Sequence, residues 1–511
     1  MNRRAFLAAL GAVTASRNLG QLPGPDPEPT EQFVTTLRFP YIQNVRVDRA
    51  SIIWTTAQNG FGAVQYTADG MNYRDEAATT RLYTRAETGM GLNFYQHQVD
   101  LTGLNPGADY AYQAYVDGLP VTAAGDSSFR TAAPGPFNFM VFGDSGWGSD
   151  EQFLIAQRIL AERPSLVLHM GDVVYSQGLA GAGPHDLYQR RYLNYYAGAM
   201  SSIPFFPCPG NHDYDIQGLA AYLAIHSVPT ENVPAADRGR YYSFDWGNVH
   251  FVSVDGHLSL ERVVNANGPM LRWLENDLRS TQQFWRVVYL HYPLWGVGQN
   301  EGDEHTRWAR QFMTPILEAN GVQVVLGGHE HSYQRSQSLR GGATVSSDAG
   351  TTYLTSGGGG AFLYGVPTRP IVANGRMMYH YLRVENRGTR MTFRAIRPDG
   401  SEFENFTISP RPMFSDQANI PAVRFEPAPR AGSYVRIFGR ALAAEETLVC
   451  TPGSASAITS TVVTINGRVI PLLYASPTQL YAQLPFNVDG NITVRVTTPN
   501  GSSDISVNPP R

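Results

Sequence analysis

Five short polar clusters lie in the middle of the chain, and each one follows an apolar run of strand length. They read FGDSG, GDVVY, GNHD, LHYP and GHEH, and their candidate metal ligands are Asp144, Asp172, Tyr175, Asn211, His291, His329 and His331. Carboxylate oxygens mixed with imidazole nitrogens suit iron, zinc or manganese and are poor ligands for metals that prefer thiolates. These seven side chains are too many for one tetrahedral ion, and they suit two ions that share a carboxylate.

Two metal ions in one site would give this set a definite chemistry. Ions about 3.5 to 4 Å apart can hold a hydroxide between them and clamp the oxygens of a transferring phosphoryl group. An aspartate after a glycine is by itself usually a turn residue, and a single histidine in a strand is usually a core group. The repetition of such clusters at the ends of successive strand-like runs therefore carries the prediction of a metal-dependent phosphoester hydrolase.

The stretch from Phe137 to Ser409 contains the elements that must position these ligands. Apolar runs such as FNFMVF and RVVYLH alternate with helix-like stretches such as DEQFLIAQRILAER. This alternation predicts an α/β domain over residues 137–409, with several strands buried on both faces. Because the carboxyl ends of parallel strands meet at one edge of a sheet, the clusters should converge. The glycines before Asp144, Asp172, Asn211 and His329 should permit tight turns and close approach.

Both flanking regions have a β pattern. Over residues 33–132, short alternating runs are broken by Gly, Asn, Asp and Pro, which predicts a β-sandwich. This region resembles a fibronectin type III module, with a scaffold or lid role and carbohydrate binding as the alternative. Residues 420–511 contain turn signals such as Asn466-Gly467 and resemble the immunoglobulin-like IPT/TIG modules. Surface attachment or spacing is the role expected of that C-terminal module.

The N-terminus predicts export. The text MNRRAFLAALGAVTAS resembles a twin-arginine-type signal peptide over residues 1–20, and a Pro-rich linker follows over residues 21–32. No other run is long and apolar enough to span a bilayer, so we expect a periplasmic or extracellular protein without a transmembrane segment. The formal net charge of -4 gives no reason to expect a nucleic-acid partner.

The order GDxG, GDxxY, GNHD, a single histidine after an apolar strand and GHxH resembles the purple acid phosphatases, within the calcineurin-like metallophosphoesterases. The resemblance covers about residues 33–408, including YYSFDWGNVHFVSVDG and MLRWLENDL. It implies a catalytic sandwich of two mixed β-sheets flanked by helices. The whole chain would then be multidomain, with this α/β domain between two all-β immunoglobulin-like domains.

The resemblance also implies a role for each site residue. A ferric ion would be bound by Asp144, Asp172, Tyr175 and His331. A divalent zinc, iron or manganese ion would be bound by Asp172, Asn211, His291 and His329, with Asp172 bridging. The Tyr175 phenolate favours Fe(III), which lowers the pKa of bound water more than a divalent ion does. Asn211 and His212 would contact substrate, and His212 would be catalytic; the alternative for His212 is a purely orienting role.

The sequence departs from the family after His291. Plant-type members have a further His-His pair there, whereas this chain reads YPLWGVGQNEGDEHTRW. We expect His305, or the neighbouring Glu301, Asp303 and Glu304, to occupy the substrate side. These acidic residues and the absence of lysine argue against highly anionic substrates. The run SGGGGAFLY, residues 356–364, is interpreted as a flexible loop near the site rather than a phosphate cradle.

The expected function is that of an exported acid phosphatase. It would hydrolyse small-molecule phosphate monoesters by attack of a metal-bound hydroxide. Two alternatives are a phosphodiesterase on the same core and a cell-surface binding protein with a retired catalytic domain. Because none of the seven ligand positions is missing, the sequence disfavours the retired enzyme.

Overall fold

The described part of the protein begins after the predicted signal peptide and linker, so both of those predictions lie outside it. The computed structural model describes residues 34–122, 127–179, 181–215, 217–257, 268–346, 349–415, 421–426, 430–445, 447–448, 460–488 and 490–508. Within these residues, no helix combines the length and the apolar character that a membrane crossing requires.

The N-terminal region is built almost entirely from strands. They are β1 Thr36–Gln43, β2 Arg49–Thr56, β3 Gly62–Thr67, β4 Arg74–Ala77, β5 Thr79–Tyr83, β6 Phe94–Thr102, β7 Asp109–Val116, β8 Leu119–Pro120 and β9 Ser128–Arg130, with one short helix, α1 Arg85–Thr88. One sheet has the order β1-β2-β6-β5, and the other has β4-β3-β7-β8 with β9 beside β7. Buried Trp54 and Val64, from the two sheets, share one core. The all-β prediction is therefore confirmed here.

The central region contains two mixed sheets. The first has the order β12-β11-β10-β21-β22-β23, and the second has β13-β14-β15-β16-β19-β17-β18 with β20 beside β17. The strands are β10 Phe137–Phe142, β11 Leu166–His169, β12 Phe205–Pro207, β13 Tyr242–Trp246, β14 Val249–Ser253, β15 Trp285–Tyr289, β16 Val324–Gly327, β17 Tyr333–Arg340, β18 Ala343–Thr344, β19 Thr351–Ser356, β20 Val372–Arg376, β21 Tyr381–Asn386, β22 Met391–Ile396 and β23 Glu402–Ile408. Strands β10 to β12 are parallel, as are β14, β15, β16 and β19.

Helices cover the outer faces of both sheets. They are α2 Asp150–Glu162, α3 Pro184–Tyr188, α4 Asn194–Met200, α5 Asn211–Tyr214, α6 Ala220–Ile225, α7 Pro269–Ser280 and α8 Glu304–Ala319, with a π-helical turn at Gln189–Leu193 and a 3-10 turn at Ala235–Asp237. Alternate residues of β10 face opposite ways, as period-two strands require. Phe139 lies in the core between the sheets, whereas Met140 packs with Ile155 of α2. On the second sheet, Val288 packs with Leu274 of α7. The result is the predicted α/β sandwich.

The C-terminal region is again all β and has its own core. Its strands are β24 Met413–Phe414, β25 Val423–Glu426, β26 Tyr434–Arg440, β27 Thr447–Leu448, β28 Val462–Ile465, β29 Arg468–Ile470, β30 Leu472–Ala475, β31 Gln479–Gln483, β32 Ile492–Thr498 and β33 Gly501–Val507. They form two antiparallel sheets, β24-β26-β31-β30-β27 with β25 beside β26, and β29-β28-β32-β33. Asn466 and Gly467 both have positive φ angles, 47° and 79°, and link β28 to β29. This hairpin turn was predicted from the Asn-Gly pair.

Candidate metal centre

The five polar clusters all lie directly after strands of the central sheets. Asp144 follows β10, Asp172 follows β11, and Asn211 begins α5 shortly after β12. His291 follows β15 and His329 follows β16 in the other sheet. The first sheet therefore supplies two carboxylates and an amide, and the second supplies imidazoles. The prediction that these clusters converge is tested by the contacts between their side chains.

Three of the ligand candidates have strained backbones. Asp144, Asp172 and His329 have φ angles of 57°, 52° and 66°, in the left-handed region that residues with a Cβ seldom adopt. Such conformations cost about 1–3 kcal/mol each and persist where surrounding structure imposes them. The strain therefore lies at the candidate ligands themselves.

The preceding glycines act mainly by allowing close approach. A Cβ on Gly210 would lie 2.2 Å from Asp172 Oδ1, and one on Gly328 would lie 2.6 Å from Asp144 Oδ2. Gly171 alone among the four glycines preceding the ligands has a positive φ, 80°. The predicted close approach is thus observed. The positive φ angles expected of the turns are found mainly in the ligand candidates Asp144, Asp172 and His329, and not in the glycines before them.

Asp144, Tyr175 and His331 form one group of donors. The Tyr175 hydroxyl lies 3.3 Å from Asp144 Oδ1 and 3.1 Å from His331 Nε2, and His331 Nε2 lies 3.4 Å from Asp144 Oδ1. His331 Nδ1 is 2.7 Å from the Phe362 carbonyl oxygen, to which it can only donate. This contact fixes the tautomer, so the Nε2 lone pair faces the other two side chains.

Asn211, His291 and His329 form a second group. His291 Nε2 lies 3.0 Å from Asn211 Oδ1 and 3.2 Å from His329 Nδ1. His291 Nδ1 is 2.8 Å from the Met170 carbonyl oxygen, so it is the nitrogen that carries the proton. As in the first group, a backbone carbonyl orients an imidazole so that its other nitrogen, Nε2, faces the neighbouring side chains.

Asp172 lies between the two groups. Its Oδ2 is 3.4 Å from His291 Nε2, and its side chain also interacts with Tyr175. Oδ1 accepts a hydrogen bond from the His212 backbone N–H at 2.9 Å, whereas Oδ2 is buried and accepts none from any described residue. A buried carboxylate oxygen without a donor is costly unless a cation satisfies it.

The electrostatics also fit bound cations. Burial lowers the pKa of His291, but the charges of Asp172 and Asp144 outweigh it and raise the pKa to about 10. Burial raises the pKa of Tyr175 well above its usual value, and the same two carboxylates raise it further. A Tyr175 phenolate would therefore need a strongly charged ion beside it. Asp144, Asp172 and His291 each offer a ligand atom, and these atoms lie within 4.8 Å of one another, so this trio can hold a metal.

His212 and His305 lie near different parts of this cluster. The His212 ring centroid is 4.5 Å from that of Tyr175, its Nδ1 is 2.6 Å from Asp215 Oδ2, and 25% of its side chain is exposed. His305 reaches the cluster through Asp303, whose two oxygens lie 3.4 Å from His305 Nδ1 and 3.5 Å from His329 Nε2. It also reaches it through the Tyr292 ring, whose centroid is 4.6 Å from that of His305 and 4.8 Å from that of His329. His212 is thus beside the candidate ligands, and His305 is one residue removed.

Asp303 contacts the site in a way that the sequence did not predict. We named it only as one of three acidic neighbours of His305. Hydrogen bonding to His305, and then to His329, lowers the pKa of the Asp303 carboxyl, so it is ionised. Because His329 Nε2 faces this carboxylate, the Nδ1 of His329 is left facing His291. Carboxylates commonly orient metal-binding histidines in this way.

The glycine-rich run at residues 356–364 is a rigid part of the site rather than a flexible loop. Residues 356–361 are buried. Gly359 N–H donates to the Gly143 carbonyl at 3.0 Å, and Ala361 N–H donates to the Asp144 carbonyl at 2.9 Å. A Cβ on Gly357 would lie 2.3 Å from the Glu330 carbonyl oxygen. The predicted location is right, but the predicted flexibility is wrong, because these amides already have backbone partners.

Comparison with known proteins agrees with this fold. Residues 137–333 match the family described as calcineurin-like phosphoesterase. An uncharacterized protein of Mycobacterium tuberculosis is 27% identical over 369 residues, which are 61% of this chain and 65% of that protein. Purple acid phosphatase 23 of Arabidopsis thaliana is 27% identical over 294 residues, 52% of this chain and 62% of the relative. The chain thus spans just under two thirds of the mycobacterial relative's length.

Solved structures show the same fold at low identity. A purple acid phosphatase from yellow lupin (Lupinus luteus) seeds superposes with a TM-score of 0.64 at 17% identity, covering 74% of this chain and 75% of that chain. PhoD superposes with a TM-score of 0.54 at 14% identity, covering 72% and 89%. The central region is a calcineurin-like metallophosphoesterase domain with purple acid phosphatase homologues, which confirms that part of the predicted resemblance.

Proposed function

We propose that the protein is an acid phosphatase that hydrolyses small-molecule phosphate monoesters at a binuclear centre. The observation that carries this proposal is the position of Asp172. Within the part of the chain that the structure describes, its buried Oδ2 accepts no hydrogen bond, and it lies where the two donor groups meet, as a carboxylate shared by two ions would.

The first donor group would hold Fe(III), and the second would hold a divalent zinc, iron or manganese ion. Tyr175 supports the ferric assignment, because a hard phenolate prefers a trivalent ion and its protonated form is strongly favoured without one. When bound, the two ions supply an activated water and positive charge for the oxygens of the transferring phosphoryl group.

The remaining work falls to the chain's own side chains. We assign His212 as the catalytic residue that contacts the phosphoryl oxygens or protonates the leaving group. Its Nδ1 faces Asp215 Oδ2, which leaves Nε2 for the substrate, and the ring is partly exposed beside Tyr175. Asn211 would orient substrate as well as bind metal. His305, anchored by Asp303, would contact the substrate from the other side.

A visible absorption spectrum with metal analysis tests the ferric assignment. We expect a tyrosinate-to-Fe(III) charge-transfer band in the iron-loaded protein, and we expect Tyr175→Phe to abolish it. Tyr364→Phe is the matched control, since the Tyr364 ring also lies against His331, with centroids 4.3 Å apart, but is not a proposed ligand. A colourless protein that is fully loaded and active would refute the ferric assignment.

The ester preference needs a separate measurement. Turnover of an aryl monoester and of the corresponding diester should be compared at the same metal loading. Greater monoester turnover supports the proposal, and equal or greater diester turnover would make the protein a phosphodiesterase. Purified protein that takes up no metal when iron and zinc are supplied would favour a binding protein with a retired catalytic domain.

The regions that flank the central domain also have proposed roles. We regard residues 33–132 as a fibronectin type III-like scaffold, because they dock firmly on the helices of residues 137–409. The Tyr41 hydroxyl donates to the Ile225 carbonyl at 3.0 Å, and the Tyr112 hydroxyl donates to the Ser201 carbonyl at 2.8 Å.

Residues 420–511 would be an IPT/TIG-like attachment module. Export by the twin-arginine route is proposed from the N-terminal sequence and is tested by exchanging Arg3 and Arg4 for glutamine and locating the protein.

A further inference from the structure

Three aromatic rings form one wall of the metal centre. The Phe362 ring lies 5.3 Å from the Trp147 ring and 5.4 Å from the Tyr364 ring, measured between centroids. This wall adjoins the first donor group directly, because Phe362 lies 5.5 Å from the His331 ring and Trp147 lies 5.4 Å from the Tyr175 ring. We call Trp147, Phe362 and Tyr364 the aromatic platform.

The platform is open on its outer side. Phe362 is 53% exposed, and Trp147 and Tyr364 are partly exposed. The backbone of this segment is nevertheless fixed, since the Phe362 carbonyl binds His331 Nδ1 and the Tyr364 N–H donates to the His331 carbonyl at 2.9 Å. A large exposed phenyl ring on a fixed backbone loses little conformational freedom when another ring packs against it.

The surroundings of the second donor group have a different chemistry. Asp303 lies beside His329 there, and Glu301 lies in the same segment, where Arg369 is 3.5 Å from it. A phosphoryl group at the metals would have acidic and imidazole side chains beside the second donor group and aromatic rings beside the first. The part of a substrate that extends past His331 would therefore meet aromatic rings.

We propose that the aromatic platform selects phosphate esters whose alcohol portion carries a planar aromatic ring, with Phe362 as the specificity-determining residue. This inference rests on the proposed phosphoester hydrolysis and adds the substrate class for that site. The stabilisation comes from stacking and from burial of apolar surface, and not from acidity of the leaving group. Ring stacking of this kind changes affinity by about tenfold.

The test compares two substrates of equal size and similar leaving-group acidity, benzyl phosphate and cyclohexylmethyl phosphate. For the metal-loaded protein we expect kcat/KM to favour the benzyl ester, and we expect Phe362→Ala to reduce that preference about tenfold. Phe362→Trp should retain the preference. Phe39→Ala is the matched control, because Phe39 is also 53% exposed but lies on β1. If Phe362→Ala fails to fold, Phe362→Leu removes the ring while keeping apolar volume.

A binding measurement gives a second readout that does not depend on turnover. Calorimetric affinity for phenylphosphonate should fall about tenfold in Phe362→Ala. Affinity for cyclohexylphosphonate should fall by a smaller factor, because that ligand loses apolar contact but no ring stacking. Hydrolysis of both esters with a preference that Phe362→Ala does not alter would overturn this inference alone. Hydrolysis of neither ester by the metal-loaded protein would overturn the proposed function, and the substrate assignment would fall with it.

Discussion

Two buried histidines of the central domain, His250 and His291, each interact with two aspartates, but the two groups differ in how many of their hydrogen bonds are complete. His250 Nδ1 is 2.6 Å from Asp245 Oδ1, and its Nε2 is 2.8 Å from Asp277 Oδ2. Asp277 also accepts a hydrogen bond from Asn232 at 2.8 Å. The group is a closed ion triad. Burial lowers the pKa of His250, but the hydrogen bonds to both aspartates outweigh it and raise the pKa to about 9.

His291 has the same kind of neighbours in an open arrangement. One ring nitrogen is committed to the Met170 carbonyl, and the other faces Asn211 Oδ1 at 3.0 Å and Asp172 Oδ2 at 3.4 Å. Asp172 Oδ2 accepts no hydrogen bond from the described residues, and Asp144 lies 4.0 Å from the same His291 nitrogen. A buried histidine near carboxylates is thus structural when each of its ring nitrogens has a hydrogen-bond partner. It is a candidate metal ligand when carboxylate and amide oxygens around it lack donors.

Asp172→Asn should have the largest effect on the open site. Losing the shared carboxylate removes charge from both donor groups, so we expect bound metal to fall and phosphatase activity to drop by about a thousandfold or more. Metal analysis and kcat measure this outcome. Asp277→Asn is the control from the closed triad and should keep its metal. Full metal content in Asp172→Asn would remove the basis for a shared carboxylate.

His250→Gln should lower stability and leave metal binding intact, which is the opposite of the effect expected for Asp172→Asn. Removing the cation leaves the buried Asp277 carboxylate without its ion partner, whereas the Asp245 side chain is half exposed. We expect the free energy of unfolding to fall by about 3 kcal/mol with metal content unchanged. Urea unfolding monitored by tryptophan fluorescence measures this. A variant as stable as the parent would mean that the triad contributes no net stability.

The closed triad also predicts how stability depends on pH. Because folding raises the pKa of His250 from 6.5 to about 9, its contribution is fully present below pH 6.5 and is lost as the pH rises through about 9. Between pH 7 and pH 9 the loss should be about 2 kcal/mol. The difference in unfolding free energy between the parent and His250→Gln should shrink over this range. A difference that stays constant would contradict the assignment.

Asp303→Asn should have the smallest effect of the four. The carboxylate orients His329 without belonging to either donor group, so we expect metal affinity to fall about tenfold. Competition with a chelator measures this change. Glu304→Gln, at the adjacent position on α8, is the control and should leave affinity unchanged. An equal effect of both variants would indicate a general loss of negative charge instead of an orienting contact.

Much of the site could be predicted because its signal is local. A glycine followed by a ligand-type residue after an apolar run can be read from a few letters, and this gave Asp144, Asp172 and His329 directly. The two mixed sheets followed from alternating strand-like and helix-like text. The Asn466-Gly467 hairpin was predicted on the same local basis, since few other residues adopt two consecutive positive φ angles.

The contacts that orient the ligands could not be predicted. The carbonyls of Met170 and Phe362 fix two imidazoles, but every residue has a carbonyl, so no letter marks the ones that matter. The rigidity of the glycine run depends on hydrogen bonds to Gly143 and Asp144, which lie more than 200 residues earlier in the sequence. The Ser149 hydroxyl donates to the Gly360 carbonyl across a similar separation. Such long-range pairs leave no periodic trace in the text.

The distribution of the ligands along the chain has a consequence for biosynthesis. Asp144 receives the His329 backbone N–H from 185 residues further on. A ribosome adding about 5–20 residues per second needs roughly 10–40 s to cover that distance. During this time the carboxylates exist without the imidazoles that complete each donor group. The synthesis of the second sheet therefore sets the earliest moment at which both donor groups are complete. The binding of metal ions must follow that step of folding in time, in addition to depending on folding for its free energy.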